Sequence, residues 1–498
     1  MKRLLLSLAL ALPLAAQQVA PPPPAAPREA KLPQPVEKTL ANGLRVIVVP
    51  KHDIPLVAAQ LLVKAGAAAD PAGRDGLAEL TATVLTQGTK TRTAEQIARG
   101  VEALGATLAA GAGWDSSTID LSVMSSNLPR ALEYMADVAR NATFAKEELE
   151  RERAQAIDAL QVELTEPRPL ATVVANRLVF GDTPYGHNLS GLPSTLAKIT
   201  RADLTKFHST HYRPDNSVLV LAGDVKADDA FALAEAQFGK WPNVGRASAR
   251  PSRAEAHATS RAEARATSGA EARAASSSRV VVIDMPESGQ AAVVVARRGI
   301  RRGDPAYMQA LVANSILGGG YSSRLNQEIR IKRGLSYGAG SSFSPRADVG
   351  PFTASTQTKH ESAAEVAGII TGEMGRLGSA DVLDAELTPR KAALTGEFAQ
   401  SLETSSGIVN RVSALALHDL PLSDINRYIS GVQAVTAADV RKFAGTNLGG
   451  SDVNIIVAGD AKQFLEPLRK QYGDRVEVIP VAELDLASPT LRVRKAKQ

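Results

Sequence analysis

The chain has 498 residues, of which 44% are hydrophobic, 22% charged and 4% aromatic, with no cysteine. That length exceeds what a single hydrophobic core organises, so several domains are expected. The absence of cysteine excludes a disulfide framework, a thiolate zinc site, a cysteine nucleophile and a lipoprotein anchor. The formal charge is +5, but the surplus sits at Lys2 and Arg3, in residues 246–278, and in a tail bearing Arg492, Arg494, Lys495 and Lys497. The body between them is slightly acidic, which argues against a nucleic-acid partner.

Residues 1–16 begin Met1-Lys2-Arg3 and continue as an apolar run to Ala15-Ala16. A basic start, a short apolar stretch and small residues read as a secretory signal peptide cut before Gln17. A Pro/Ala-rich leader follows over 17–34. No later stretch reaches the roughly 18 apolar residues that a membrane span needs. An exported protein, periplasmic or secreted and without a membrane span, is expected.

In residues 35–245, Leu44–Val49 and Leu56–Val63 read as strands of a hairpin turning at Asp53-Ile54-Pro55. Thr93 with Gln96 has the spacing of a capping box opening a helix through Leu104. Ser116–Met124 alternates as a half-buried strand, with Ile119, Leu121 and Val123 on one face. Lys146–Leu164 reads as a helix charged on one side, and Leu204–Tyr212 as a shorter one. Residues 246–278 hold an octapeptide written three times, SRAEAHAT, SRAEARAT and SGAEARAA. It lacks any large apolar residue, so it is a linker, and its His257 is a variation of the repeat. Residues 279–484 form a second body, and 485–498 a basic tail.

The two bodies are copies of one unit. Ile199–Val225 aligns without gaps on Val435–Ala461, and both segments close on Ala-Gly-Asp. Leu61–Thr89 matches Val293–Gly320. Each has an apolar strand, a turn ending Asp-Pro (Asp70-Pro71, Asp304-Pro305) and a helix ending near glycine. Strands followed by helices predict an α+β fold of two homologous halves, each an antiparallel-rich sheet packed with helices, joined by the low-complexity linker.

Two further motifs stand out: the run Leu317-Gly318-Gly319-Gly320-Tyr321 and Arg330-Ile331-Lys332-Arg333-Gly334-Leu335-Ser336-Tyr337. On these motifs and the duplicated halves, the chain resembles the insulinase/pitrilysin family of zinc peptidases (inverzincins). It is most similar to the zinc-less subunit of a processing-peptidase-type heterodimer. The resemblance places the family's His-x-x-Glu-His on the first helix, where two histidines hold zinc and the glutamate activates water. Here those positions are Glu79, Ala82 and Thr83, and Ile157-Asp158-Ala159-Leu160 stands where the third ligand would fall. No metal and no cofactor is expected in this chain, and zinc is expected in the partner.

The resemblance also implies that Arg330 and Tyr337 reach into the zinc site, the phenol toward an oxyanion and the guanidinium toward a substrate carbonyl or carboxylate. Gly334 is expected to end the helix carrying Arg330, and Tyr337 to start a strand. Gly318, Gly319 and Gly320 read either as a substrate contact or as a helix-ending turn. His208 and His211, the only close histidine pair, become Ala444 and Asn447 in the second copy, and a structural surface role is expected for them. Tyr185-Gly186-His187 and Arg213-Pro214-Asp215-Asn216 read as turn-shaping, with His187 in a surface loop.

The function expected is that of an exported non-zinc subunit of a heterodimeric metallopeptidase. It would bind extended peptide as an added strand and complete the active site of a homologous zinc-motif partner. The alternative is a non-catalytic peptide-binding or assembly scaffold of the same fold.

Overall fold

The computed structural model of the chain describes residues 34–243, 278–449 and 453–493. The expected signal peptide, and all but one residue each of the leader and linker, lie outside the described residues.

Two six-stranded sheets organise the molecule. The first comprises β1 (Val36–Thr39), β2 (Arg45–Pro50), β3 (Leu56–Val63), β4 (Thr107–Ala112), β5 (Ser117–Met124) and β6 (Ser217–Gly223), in the order β1-β2-β6-β3-β5-β4. The second comprises β7 (Val280–Asp284), β8 (Ala291–Arg298), β9 (Ala339–Phe343), β10 (Pro351–Thr358), β11 (Asn454–Gly459) and β12 (Val476–Pro480), in the order β12-β7-β11-β8-β10-β9. Five strands correspond between the sheets, and the sixth comes from opposite ends of the chain. β1 closes antiparallel on β2, whereas β12 runs parallel to β7. The α+β fold of two homologous sheet-and-helix halves is therefore the architecture observed.

Two local expectations need correction. The strands β2 and β3 exist, but they form no hairpin, because β6 lies between them, parallel to β2 and antiparallel to β3. All seven residues of β6 are buried. A strand apolar on both faces needs neighbours on both edges, and it outcompetes the short Asp53-Ile54-Pro55 turn. The strand alignment also shifts by two residues. Leu61 pairs with Leu219 and Val295 with Ile455, and Leu219 and Ile455 are equivalent in the repeat, so Leu61 corresponds to Val295 rather than Val293.

Helix signals hold well. Thr93 caps Ala94–Ala103 through a reciprocal capping box with Gln96. Thr200 with Asp203 and Thr436 with Asp439 cap the repeated helices Arg201–His211 and Ala437–Asn447 in the same way. The long charged helix spans Lys146–Glu163.

The halves are tied by an exchange of helices. One face of the first sheet (Val46, Val48, Leu61, Leu219, Ile119) packs on helices of its own half. Its other face (Ile47, Val49, Ala58, Leu62, Val218, Val220) is covered by Phe398, Ile408, Val409 and Val412 of the second half. Reciprocally, helix Pro167–Phe180 of the first half lays Leu170, Ala171 and Val174 on Val281, Ile283, Val294 and Ile456 of the second sheet. Leu491, near the end of the chain, is buried in the same cluster. Burying one such side chain is worth about 1.5–3 kcal/mol, and a whole domain is stable by only about 5–15 kcal/mol. Residues 35–245 expressed alone are therefore expected to bind a hydrophobic dye and lack a cooperative melt, and a cooperative, dye-silent fragment would contradict this packing.

Candidate functional site

Helix Leu77–Val84, which bears the zinc-motif positions, is launched by Asp70. Its carboxylate accepts the backbone N–H groups of Gly76 at 2.8 Å and Ala78 at 2.9 Å. One turn on, Glu79 accepts the N–H of Ala112, on edge strand β4, at 2.6 Å. Burial pushes the Glu79 carboxyl above its usual range, and that hydrogen bond opposes the shift. Ala82 is fully buried, and the Thr83 hydroxyl donates to the Glu79 carbonyl at 3.0 Å. Asp158 is exposed on its helix. A methyl, a back-bonded hydroxyl and one engaged carboxylate do not fit zinc. Among the described residues, no three histidine, aspartate or glutamate side chains are placed to hold a metal ion.

The histidine pair is half-buried rather than on the surface. His208 Nε2 lies 2.8 Å from the Ala139 carbonyl and its ring stacks on Tyr212 at 4.8 Å. His211 packs on Phe207 at 4.6 Å, and burial lowers its pKa to about 4. Both are structural. Arg213-Pro214-Asp215-Asn216 is a turn, with Asn216 donating to the His211 carbonyl at 3.0 Å.

In the second half, Gly318, Gly320, Arg330 and Tyr337 line one open cavity of about 1280 Å³, while Gly319 lies outside its wall. Arg330 sits on a single wide helical turn, Gln327–Ile331, which Gly334 terminates at φ +61. The Gly334 N–H bonds the Arg330 carbonyl at 3.1 Å and the Leu335 N–H bonds the Ile329 carbonyl at 2.9 Å, the paired closure typical of a helix C-terminus. The chain then reaches Tyr337 in a bend, and the strand starts two residues later, at Ala339. Tyr337 is 94% exposed. The Arg330 guanidinium lies 5.0 Å from the Tyr321 ring centre.

Gly318 has a packing reason. A side chain there would come within 2.3 Å of the Ser341 backbone nitrogen, because the Ser341 N–H donates to the Gly318 carbonyl at 3.1 Å. The Ala339 N–H is likewise taken by the Asn326 side chain at 3.3 Å. The outward donors of edge strand β9 at Ala339 and Ser341 are thus occupied. On β4, the Gly113 N–H bonds the Ser116 carbonyl at 2.7 Å, which sets the alternation and turns Leu108, Ala110 and Ala112 outward. Glu79 occupies Ala112, and the outward N–H groups of Leu108 and Ala110 have no partner among the described residues.

Family models decide the affiliation. Residues 45–191 match the model described as insulinase, peptidase family M16, and residues 198–394 match the peptidase M16 inactive domain. The chain belongs to the insulinase family, M16. It is 27% identical over 421 residues to an uncharacterized zinc protease of Mycobacterium tuberculosis, covering 84% of this chain and 92% of that protein. A zinc protease of Bacillus subtilis, also uncharacterized, is 22% identical over 373 residues, covering 75% and 86%. Among solved structures, a peptidase M16 inactive domain from Pseudomonas fluorescens superposes with TM-score 0.76 at 28% identity, covering 85% of this chain and 98% of that one. A protease from Helicobacter pylori gives TM-score 0.78 at 19% identity, covering 86% and 100%, a likeness of fold.

In this M16 chain a buried polar cluster joins the two halves, at residues the motifs did not single out. The Arg346 guanidinium lies 4.1 Å from the ring centre of Trp114, 4.7 Å from that of Tyr185 and 5.1 Å from that of Phe180. Asp115 accepts the Tyr185 hydroxyl at 2.7 Å and the Ala347 N–H at 2.9 Å. Burial lowers the Arg346 pKa to about 10. His187 is not a free surface residue: only 12% of its side chain is exposed, 4.0 Å from Asp70 and 5.2 Å from Trp114. Trp114, one of two tryptophans in the chain, was the available signal for this cluster.

Proposed function

We propose that this chain is the non-zinc subunit of a heterodimeric M16 metallopeptidase, exported by its first 16 residues to the periplasm or beyond. The partner is a homologous chain that carries the zinc motif. The observation that carries the reading is Arg330 and Tyr337 on one open cavity, without an ion pair or side-chain hydrogen bond among the described residues, beside a first half whose zinc positions cannot bind metal. A phenol exposed to this degree, with no side-chain partner among the described residues, is free to donate to a group brought in from outside. Tyr337 would donate a hydrogen bond to the oxyanion formed in the partner's site, and Arg330 would hold a substrate carbonyl in its planar fork. Extended peptide would add to the open edge of β4, where backbone pairing reads shape before side chains. Gly318 and Gly320 would bound the cavity that holds the peptide's continuation.

The test is cleavage of an extended peptide by the two purified chains, separately and mixed, with zinc content measured for each. Expected are no zinc in this chain, cleavage by the mixture alone, and a drop in kcat of about 10²–10³ when Tyr337→Phe is mixed with the unaltered partner, the range for losing one oxyanion donor. A partner fully active alone and indifferent to Tyr337→Phe would replace this reading with the assembly scaffold.

A further inference from the structure

The cavity that holds Arg330 and Tyr337 has a one-sided charge. Its charged lining residues are Arg168, Arg330 and Lys359, and no aspartate or glutamate lines it among the described residues. None of the three has an ion pair among the described residues, and Arg168 and Lys359 are exposed. Beside the wide turn, Glu328 pairs with Lys332 and Arg333 at 2.5 Å each, and Glu386 holds Arg324 through two bonds of 2.8 Å. Glu166 and Glu361, two residues from Arg168 and Lys359 respectively, are exposed and do not line the cavity.

The floor has the same bias. Phe352 and Ala354 of β10 face the core, so Thr353, Ser355 and Gln357 face the opposite side and line the cavity with Ser342 of β9. The register through the central strand equates Ser355 with Asp120 of β5, since Gln60 pairs with Asp120 and Val294 with Ser355. The first sheet therefore carries a carboxylate where the second carries a hydroxyl. Helix Pro167–Phe180 reaches across from the first half and adds Arg168, so the exchange of helices itself contributes one of the cations.

We infer that this cavity selects peptides by their carboxylates, holding an acidic segment of the chain against Arg168, Lys359 and Arg330. The inference rests on the peptide-binding reading above and adds the substrate class. Three cations without an ion pair among the described residues, around a concave, hydroxyl-lined surface, focus a positive potential, and like-charged peptides meet repulsion with no acid in the lining to offset it. The cations come from three separate elements: a helix start, a wide helical turn and the loop after β10. Each can meet one carboxylate along an extended chain. Such carboxylates come from Asp and Glu side chains or from a peptide C-terminus, and both have the chemistry these cations recognise.

The test is fluorescence anisotropy of the full chain with labelled peptides of equal length: a Glu-containing peptide, its C-terminally amidated form, and Gln and Lys counterparts. The Glu peptide is expected to bind about tenfold tighter than the Gln peptide, with the gap narrowing as salt shortens the screening length below about 8 Å. Arg168→Gln with Lys359→Gln, both at exposed positions, is expected to shrink that gap to the part Arg330 contributes, and an undiminished gap would overturn the assignment to this cavity. A loss on amidation assigns the preference to the C-terminus, and retention assigns it to side chains; either supports the inference. Equal binding of Glu, Gln and Lys peptides overturns it while leaving the proposed function standing, provided Tyr337→Phe still slows the mixed enzyme. Binding of no peptide at all overturns both. Displacement of the Glu peptide by duplex DNA or anionic vesicles at lower concentration than by unlabelled Glu peptide also overturns it.

Discussion

Replacing Asp115 by alanine is expected to cost about 3–5 kcal/mol of unfolding free energy, the magnitude for removing one partner from a buried charged cluster. Asp115 and Arg346 are 8% and 5% exposed. Arg346 already has two nitrogens, Nε and Nη1, without a hydrogen-bond partner among the described residues. Its charge is held by three aromatic faces and the neighbouring carboxylate, and burial already works against it. Without Asp115 the cation stays buried with only the rings, the Tyr185 hydroxyl loses its acceptor, and the Ala347 N–H loses its bond across the halves. Asp115→Asn keeps an acceptor and is expected to cost clearly less. Urea unfolding of the full chain measures both, and a loss below about 1 kcal/mol for Asp115→Ala would show that the cluster does not join the halves energetically.

The second large effect is on pH dependence and centres on Asp70. Its side chain is fully buried, and burial raises its pKa to about 7, although the Ala78 and Gly76 N–H groups pull the other way. Unfolded, the same group titrates near 3.9. Between about pH 4 and pH 7 the folded chain keeps the proton that the unfolded chain releases, so this group's contribution to stability falls as pH rises. At about 1.4 kcal/mol per unit, the change across that window is on the order of 3–4 kcal/mol. His187, 4.0 Å away, has its pKa lowered by burial and works in the opposite sense, so the comparison must be made against a variant. Asp70→Asn keeps one acceptor for the helix start and removes the titration. Its stability relative to the unaltered chain is expected to improve by that amount from pH 4 to pH 8, and parallel profiles would remove Asp70 as the cause.

These two residues show where sequence reading stopped. Asp70 was visible only as half of a repeated Asp-Pro turn, and Asp115 and Arg346 were not visible at all. Their partners are distant in sequence: Asp115 meets Ala347, and Asp70 meets His187. Periodicity, by contrast, read single elements well. Ile119, Leu121 and Val123 lie on the core face of β5, and the Thr93 capping box opens its helix, because both depend on neighbours within a few residues. The hairpin of β2 and β3 failed for the complementary reason. A local turn signal carries no information about a strand that arrives more than a hundred residues later.

The sequence by itself determined the duplication, the α+β class, the helix caps and the replacement of the His-x-x-Glu-His pattern by Glu79, Ala82 and Thr83, since each is a property of residue type and short-range spacing. Only the tertiary structure decided that β6 separates β2 from β3 and that each half covers the other's sheet. It also decided that Glu79 is spent on Ala112, and that Arg168 joins Arg330, Tyr337 and Lys359 around one cavity. Those outcomes depend on which buried faces find each other, and burial has no direction along the chain.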